Sequence, residues 1–461
     1  MTTRKSILIV AAVLLTVVFA VAEKQSPPAG GTPQDFNLPP VNTFTLDNGL
    51  QASLVQYGKL PKVSISVRVR AGNLNETPEQ VWLADLMGDL MEEGTATMGA
   101  EELAAAFASM GGELGIGTGF DVTVVGADVL SDFGADAMKV LADVVRNPAL
   151  PESELERLKG DMVRNVSIAM TRPGPLANQK FQALLYGDHP YGRLYPPEEM
   201  IRGYDLDGVR GFYKDNFGAK RTHIYVVGMF DEHAMEKAIR DAFGDWTAGP
   251  DPLVATPEMK SKRAVHVIDR PGAPQSTLRI GLPVIDPSNP DYIALSVTNT
   301  LLGGFFSSRV TSNIREDKGY TYSPGSSISS SYRAADWTQS ADVTTADTGA
   351  SLKEIFFEID RLRNEPPTAE ELKGVQNYIA GVFVLQNSSR GGIGGQLANV
   401  DLHGLSDDHL TTYVQRVYAV TPEDVRTMAE KYLRDDEMTI VVVGDKGQIE
   451  AQLKPYGKLV Y

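Results

Sequence analysis

Hydrophobic residues recur along this chain at two spacings, which follow one another in a regular order. At 63–69, Val and Ile alternate with Ser and Arg, a pattern typical of a half-buried strand. Apolar residues at spacings of three and four predict a helix within 82–95 and further helices at 100–110, 135–146, 152–170 and 205–216. Short strands are predicted around 113–116, 121–125 and 223–227. Strands joined by short connections, with helices grouped between them, favour an α+β fold with a largely antiparallel sheet.

The same order of elements occurs twice. The segment 147–155 recurs at 364–372, which is 217 positions later (147 to 364). The segment 209–228 recurs at 425–444 with an offset of 216 (209 to 425), and the strand at 63–69 recurs at 276–282 with an offset of 213 (63 to 276). Near-constant offsets predict a duplicated domain. We expect an N-terminal domain at 43–245 and a C-terminal domain at 263–461, joined by a Pro-rich linker at 246–262.

The first residues predict a targeting segment. Arg4 and Lys5 precede an apolar run at 7–22 that ends in Ala-Val-Ala, which is typical of a signal peptide at 1–22. The run is shorter than the roughly 20 residues of a spanning helix, but an uncleaved membrane anchor remains the alternative. Residues 23–42 are predicted to be a flexible leader rich in Pro and Gly. Either way, the folded part is expected to be exported, to the periplasm or the extracellular space.

Composition narrows the function classes. The formal net charge of −16 argues against a nucleic-acid or anionic-membrane surface, because such surfaces need clustered Lys and Arg. There are no cysteines, which excludes disulfides, thiolate metal sites and a cysteine nucleophile.

The stretch 82–95 carries the most specific motif. It resembles the metal-binding helix of the inverzincin peptidases, the family of insulysin, pitrilysin and the mitochondrial processing peptidase. In that family a Leu-Ala-His-x-x-Glu-His helix runs to a Gly-Thr; the two His bind zinc and the Glu activates water. Leu83-Ala84 and Gly94-Thr95 match this pattern without a gap. The resemblance implies two similar α+β domains, each a sheet with helices packed on one face.

All four catalytic positions of this resemblance are changed. Asp85 and Asp89 stand at the His positions, Gly88 stands at the Glu position, and a gapless count to the third ligand leads to Asn165. The resemblance therefore implies no metal and no catalytic residue in this chain. Asp85 and Asp89 share a helix face; they are either solvated or clustered with Asn165 at the former metal site. A calcium ion would need more oxygen ligands than these residues supply.

A second motif of the family is retained at 301–323. A Leu-Leu-Gly-Gly run is followed by Arg315 and Tyr322, which meet the family's Arg-x6-Tyr spacing. Gly319 is expected to end a helix, and Tyr322 to lie in the strand that follows. In active relatives this pair holds the substrate backbone near the scissile carbonyl, a task for which a guanidinium and a phenol are suitable donors. The simpler interpretation is a surface arginine and a half-buried strand tyrosine.

Other candidate sites are weak. His189 has no second His near it at metal spacing. The Gly-rich run at 391–395 lacks the Lys-Ser or Lys-Thr of a phosphate loop, so we predict a hinge or a close-packing loop. No credible Ser–His–Asp set is evident, although residues distant in sequence leave that question open.

The resemblance extends over residues 43–461, and the family contains heterodimers in which one subunit holds zinc and the other the Arg–Tyr pair. The first hypothesis is a non-catalytic, substrate-binding subunit of an exported zinc endopeptidase. Its partner would be a homologous subunit that supplies the zinc, and its substrate an unfolded peptide. The alternative is a structural or peptide-binding pseudopeptidase without a proteolytic role. Membrane association is expected only if the N-terminal segment is uncleaved.

Overall fold

The computed structural model describes residues 37–461, so the predicted signal peptide and most of the predicted leader lie outside the described residues. The strands are β1 Val41–Thr45, β2 Gln51–Gln56, β3 Lys62–Val69, β4 Leu114–Thr118, β5 Thr123–Leu130, β6 Thr222–Gly228, β7 Ala264–Asp269, β8 Gln275–Val284, β9 Gly325–Ser331, β10 Ala334–Thr344, β11 Thr439–Gly444 and β12 Leu459–Val460. The first-half helices are α1 Leu83–Glu92, α2 Ala100–Ser109, α3 Gly134–Arg146, α4 Glu152–Met170, α5 Pro173–Tyr186, α6 Glu198–Gly203, α7 Leu206–Asn216 and α8 Glu232–Phe243. The second-half helices are α9 Tyr292–Asn299, α10 Thr348–Asn364, α11 Ala369–Gln386, α12 Arg390–His403, α13 His409–Ala419, α14 Pro422–Tyr432 and α15 Lys446–Leu453.

The strands form two six-stranded sheets with matching order. The first is β1-β2-β6-β3-β5-β4 and the second is β12-β7-β11-β8-β10-β9. Most neighbouring strands run antiparallel, but β2 pairs with β6 in parallel, and β7 pairs with both β11 and β12 in parallel. The predicted α+β fold with two duplicated, largely antiparallel sheets is confirmed.

The duplication is also visible in the helices. The bounds of α5 recur in α12 at an offset of 217 (173 to 390 and 186 to 403), and those of α7 recur in α14 at an offset of 216 (206 to 422 and 216 to 432). The predicted helix at 152–170 coincides with α4. Residues 244–263, between α8 and β7, contain neither helix nor strand, and residues 37–461 lie within one compact unit.

The alternating pattern of β3 separates the two faces of the first sheet. The apolar side chains of this strand are at most 1% exposed, and they are Val63, Ile65, Val67 and Val69. They belong to a core built with residues of α1, α3 and α7. The Ser and Arg residues of β3 point to the opposite face, where they are only partly buried.

One helix of each half covers part of this opposite face on the other half's sheet. Helix α5 packs against β8 and β11, whereas α12 packs against β3 and β6. Phe181 of α5 is buried in a cluster with Val441, and Ile393 of α12 is buried in a cluster with Val227. A hydrogen bond also joins α5 to the second sheet, because the Tyr186 hydroxyl at the end of α5 donates to Asp336 Oδ1 of β10 at 3.0 Å.

The Gly-rich run at 391–395 was predicted to be a hinge or a close-packing loop. The prediction of a loop is wrong. These residues lie in α12, whose first turn is capped by the Ser389 hydroxyl accepting from the Gly392 backbone N–H at 3.0 Å. A Cβ on Gly394 would stand 3.6 Å from Val227 Cγ2 and 3.8 Å from Tyr225 Cβ. Packing against the first sheet thus offsets the low helix propensity of glycine.

None of the helices within 37–461 has the length and hydropathy needed to span a membrane.

Candidate functional site

Helix α1 forms as the apolar spacing predicts. Leu83, Leu86, Met87, Leu90 and Met91 are all at most 2% exposed in the first core. Gly94 follows the helix with φ of +128°, a conformation that other residues rarely adopt, and so redirects the chain. The remaining face of α1 carries Asp85 and Asp89.

A buried glutamate caps the start of α1. Trp82 stands at the N-cap position of the helix with φ of +70°, and its side chain makes no capping hydrogen bond. Instead Glu76 accepts hydrogen bonds from the backbone N–H of Trp82 at 3.1 Å and of Ala84 at 2.9 Å. Glu76 is only 7% exposed, and burial raises its pKa to about 7. Sequence reasoning missed this residue, because it lies outside the helical pattern.

Asp85, at the first His position, is already bonded within the chain. The Asn73 side-chain amide donates to Asp85 Oδ2 at 2.6 Å and to Glu76 Oε1 at 3.1 Å. Burial raises the pKa of Asp85, although the bond from Asn73 works against this. Asn73 therefore links the capping glutamate to the vestigial metal position.

Asp89, at the second His position, is exposed and lies among other carboxylates. Partial desolvation, followed by the negative charges of neighbouring acids, raises its pKa to about 6. These neighbours are Asp85, Glu92, Asp161 and Glu93. Arg157 of α4 forms ion pairs with Glu93 and, at 3.6 Å, with Asp161, which offsets part of the negative charge.

Asn165 does not join this cluster through a hydrogen bond. It is exposed on α4, and within 37–461 no hydrogen bond connects it to Asp85 or Asp89. Helices α1 and α4 do pack together, and the α4 residue whose charge acts on Asp89 is Asp161, one turn before Asn165 on the same face.

Gly88, at the position of the catalytic Glu, is closed off by β4. A Cβ at Gly88 would lie 2.7 Å from the Thr118 hydroxyl oxygen. The same hydroxyl is 3.4 Å from the Ala84 carbonyl oxygen, to which it donates. The space that a general base would need is therefore occupied by a strand side chain.

The residues at the former metal position do not fit zinc. The donor set consists of two carboxylates and an amide without a histidine, whereas catalytic zinc takes three protein ligands that include histidine. One carboxylate oxygen of Asp85 is already bonded to Asn73. Among residues 37–461, no group of three His, Cys, Asp or Glu side chains is placed to hold a metal ion.

The Arg–Tyr segment is held by polar anchors at its start. Arg315 lies in a π-helical segment, Thr311–Asp317. Arg309, before this segment, forms two hydrogen bonds with Glu371 at 2.7 and 2.9 Å. Gly319 ends the helix with φ of +68°, as predicted. The predicted strand at Tyr322 is wrong, because β9 begins only at Gly325.

The side chains of the pair lie together at the surface. Arg315 Cζ is 5.0 Å from the centre of the Tyr322 ring and 4.4 Å from the centre of the Phe306 ring. Tyr322 is 80% exposed, which rules out a half-buried strand tyrosine. No residue within 37–461 bonds to the Tyr322 hydroxyl, and the one ion pair of Arg315 in that range is with Glu316 at 3.4 Å. Phe306 was not assigned a role from sequence, although it lies in the retained Leu-Leu-Gly-Gly-Phe-Phe run.

His189 has a structural role in this fold. Its Nδ1 accepts from the Tyr191 backbone N–H at 3.3 Å and so caps a short helical turn, and burial lowers its pKa.

A Ser–His–Asp row is present after all, although it lacks an accessible nucleophile. Ser53 Oγ is 2.8 Å from His223 Nε2, and His223 Nδ1 is 3.3 Å from Asp401 Oδ2. Ser53 is only 4% exposed, and its hydroxyl also bonds Thr43 at 2.9 Å. The row joins β2, β6 and α12, so only tertiary structure could have revealed it.

The fold and the altered helix define the class of protein: a non-catalytic homologue of a metallopeptidase. Comparison with known families agrees. The family described as "Insulinase (Peptidase family M16)" matches residues 54–194, and "Peptidase M16 inactive domain" matches residues 204–379. The chain belongs to the insulinase family, peptidase family M16.

Individual relatives span nearly the whole chain. An uncharacterized zinc protease of Bacillus subtilis is 25% identical over 86% of this chain and 96% of its own. An uncharacterized zinc protease of Streptomyces coelicolor is 23% identical over 85% and 87%. The crystal structure of a peptidase M16 inactive domain from Pseudomonas fluorescens has a TM-score of 0.81 and 25% identity, covering 88% of this chain and 98% of that one. A protease from Helicobacter pylori shares the fold with a TM-score of 0.82 at 20% identity, covering 88% and 100%.

Proposed function

We propose that this chain is the non-catalytic, substrate-binding subunit of an exported insulinase-type zinc endopeptidase. Its partner is a homologous subunit that holds the zinc, the His ligands and the Glu base, and the pair degrades or processes unfolded peptides. The contrast between the two candidate sites supports this proposal. Asp85 is bonded within the chain and Gly88 is covered, whereas Tyr322 is 80% exposed and its hydroxyl is bonded to nothing within 37–461.

The Arg–Tyr pair has the chemistry that a substrate-holding site needs. Arg315 Cζ lies over the Phe306 and Tyr322 rings, and its one ion pair within 37–461 is with Glu316, so guanidinium N–H groups remain that can donate to a ligand. A guanidinium and a phenol that donate to one peptide carbonyl would stabilise the oxyanion that develops there. The zinc-bound nucleophile must then come from another chain, because the residues at 85–89 do not fit zinc.

Export is part of the proposal and rests on the signal-peptide pattern at 1–22. It places the enzyme in the periplasm or outside the cell, and sequencing the mature N-terminus together with cell fractionation tests it. Recovery of the chain from the cytosol with an intact N-terminus would contradict export.

The decisive test of function is affinity purification of the intact chain from its native source, followed by a peptidase assay with and without chelator. We expect a homologous zinc-binding subunit to co-purify, and the complex to cleave unfolded peptides in a chelator-sensitive way that neither subunit matches alone. One zinc per isolated chain with chelator-sensitive cleavage would make this chain an enzyme itself. Co-purification with an unrelated assembly that has no peptidase activity would favour the structural pseudopeptidase.

A further inference from the structure

A polar cavity lies between the first sheet and α12, away from both candidate sites. It has a volume of about 410 Å³ and is lined by side chains of β2, β3, β6 and α12. Neither Asp85 and Asp89 nor Arg315 and Tyr322 line it. Its walls come from both halves of the chain, because α12 belongs to the second half and the strands to the first.

Two arginines without ion pairs face this cavity. Arg68 lies in β3 and Arg70 directly follows the strand. Because the two are two positions apart, their side chains lie on the same face of the sheet. Arg68 Nε donates to Ser66 Oγ at 3.1 Å, and Arg70 Cζ is 4.6 Å from the centre of the Tyr332 ring. No carboxylate within 37–461 forms an ion pair with either guanidinium, in a chain with a net charge of −16. Burial lowers the pKa of Arg68, because the protein around it solvates the charge less well than water does.

Two further basic residues, Arg221 and Lys220, line the cavity. Lys220 is paired with the exposed Asp251 at 3.0 Å, and Arg221 donates to the backbone oxygen of Asp251 at 3.0 Å. Arg68 and Arg70 therefore remain available to an anion from outside the chain.

Asp401, the one acidic residue that lines the cavity, is engaged by neutral donors. Its Oδ2 accepts from the Tyr225 hydroxyl and lies 3.3 Å from His223 Nδ1. Burial lowers the pKa of His223 to about 4, so the imidazole is neutral near pH 7. Its proton then belongs on Nδ1, toward Asp401, while Nε2 accepts from the Ser53 hydroxyl. Asp401 is thus held by Tyr225 and His223 and leaves the arginines free.

We propose that this cavity binds the carboxylate of a peptide, either the chain-terminal carboxylate or an acidic side chain, through Arg68 and Arg70. The planar guanidinium fork matches two carboxylate oxygens. A cavity of about 410 Å³ is in the range of small-ligand sites and suits one end of an extended chain rather than a folded partner. The same fork also matches phosphate oxygens, but an ordinary peptide carries carboxylates and no phosphate, so the proposed function makes the carboxylate the expected ligand. That the ligand is a peptide rests on the proposed function.

The experiment measures binding of labelled, unstructured peptides to the intact chain by fluorescence anisotropy. One peptide has a free C-terminus and no acidic residue, the second is its C-terminal amide, and the third is the amide with two glutamates near its end. We expect at least one carboxylate-bearing peptide to bind about tenfold more tightly than the plain amide, as for a hydrogen-bonded charge. A gain with the free acid alone identifies the chain terminus, and a gain with the glutamates alone identifies the acidic side chain.

Variants locate the effect. The double variant Arg68→Gln, Arg70→Gln should remove the discrimination and keep the binding of the amide, whereas Arg210→Gln, an exposed arginine on α7, should change neither. If the double variant does not fold, Asp401→Asn gives the answer by itself, because loss of the opposing charge should raise affinity for the carboxylate about threefold.

Several results overturn the proposal. Equal binding of acid and amide peptides would do so, as would discrimination that survives in the double variant. If inorganic phosphate raises the melting temperature of the wild type but not of the double variant, and the peptides are not discriminated, the cavity binds phosphate instead. Equal binding of all peptides would leave the heterodimer proposal intact, whereas a chain that binds no peptide at all would contradict substrate binding as well.

Discussion

A helical segment in each half packs a glycine against a hydroxyl of a neighbouring strand, yet the two regions present different chemistry. The glycines are Gly88 in α1 and Gly303 in the π-helical segment Thr300–Gly304, which follows α9. In the first half a Cβ on Gly88 would meet the Thr118 hydroxyl at 2.7 Å, and in the second half a Cβ on Gly303 would meet the Ser326 hydroxyl at 2.6 Å. The packing is thus duplicated along with the fold. The comparison teaches that helix packing and site chemistry vary independently in this molecule.

The difference lies in what the polar groups bond to. Around α1, Glu76 accepts hydrogen bonds from Asn73 and from the backbone, and Asp85 accepts one from Asn73. These carboxylates therefore stabilise the fold and have few oxygen lone pairs left to bind a ligand. In the second half, Arg315 Cζ lies over the Tyr322 ring, the one ion pair of Arg315 within 37–461 is with Glu316, and the Tyr322 hydroxyl has no partner in that range. The unbonded Tyr322 hydroxyl is available to a ligand, as is the Arg315 guanidinium, whose one ion pair within 37–461 is with the exposed Glu316; a group bonded internally is not.

The largest expected effect comes from substitutions that remove Arg315 or Tyr322. In a complex with the zinc-binding partner, Arg315→Ala or Tyr322→Phe should lower kcat about 10²–10³-fold, the usual loss for one preorganised oxyanion donor. Arg315→Lys should rescue little, because an ammonium lacks the planar fork.

The control is Arg210→Ala, which removes an exposed arginine on α7 and should leave kcat unchanged. Zinc content and subunit assembly should be the same in all four variants. Full activity in a complex that carries both Arg315→Ala and Tyr322→Phe would favour the structural pseudopeptidase.

The next largest effect tests whether Thr118 closes off the space at Gly88. Gly88→Glu, which restores the residue type of an active helix, should lower the free energy of unfolding by about 1–3 kcal/mol, because the added side chain overpacks against Thr118. Gly160→Glu is the matched control: Gly160 is an exposed helical glycine in α4, a Cβ added there would meet nothing within 4 Å, and the change should not lower the free energy of unfolding, because glycine is the poorer helix former.

Urea denaturation measures both variants, and a double-mutant cycle sharpens the result. Thr118→Ala should recover part of the loss in Gly88→Glu, because the two side chains compete for one space. Additive effects of the two changes would show that Thr118 is not the obstacle.

A smaller effect comes from pH. The pKa of Glu76 is raised to about 7 by burial, above its ordinary value, so the folded state holds a proton that the unfolded state releases. The resulting stabilisation is fully present below about pH 4.5 and is lost as pH rises through 7. The free-energy difference between wild type and Glu76→Gln should therefore change by about 1 kcal/mol per pH unit between about pH 5 and 7.

Urea titrations at about pH 5, 6 and 7 check this, and the comparison with Glu76→Gln isolates Glu76 from Asp89, whose raised pKa of about 6 acts in the same direction. Parallel stability curves for the two proteins would contradict a raised pKa at Glu76.

Local sequence patterns were sufficient to predict much of the fold. They predicted few of the hydrogen bonds and ring contacts at the two candidate sites. Helix α4 and the offset near 217 were predicted from periodicity and repetition, which are local properties. Helix α12 was missed because its glycines disfavour a helix, and only packing on the opposite half's sheet explains it. The roles of Glu76 and Phe306 could not be predicted, since each depends on contacts that form across the chain.

The smallest expected effect concerns Phe306, which positions Arg315 rather than reacting with substrate. Its ring centre lies 4.4 Å from Arg315 Cζ, and an exposed cation–π contact of this kind contributes about 0.5–1 kcal/mol. Phe306→Leu keeps an apolar side chain but removes the π face, so kcat in the complex should fall only about two- to fivefold. Phe357→Leu, at an exposed phenylalanine on α10, is the control and should have no effect. A loss as large as that of Arg315→Ala would mean that Phe306 contacts the substrate itself, and no loss would mean that Tyr322 and the backbone hold Arg315 without it.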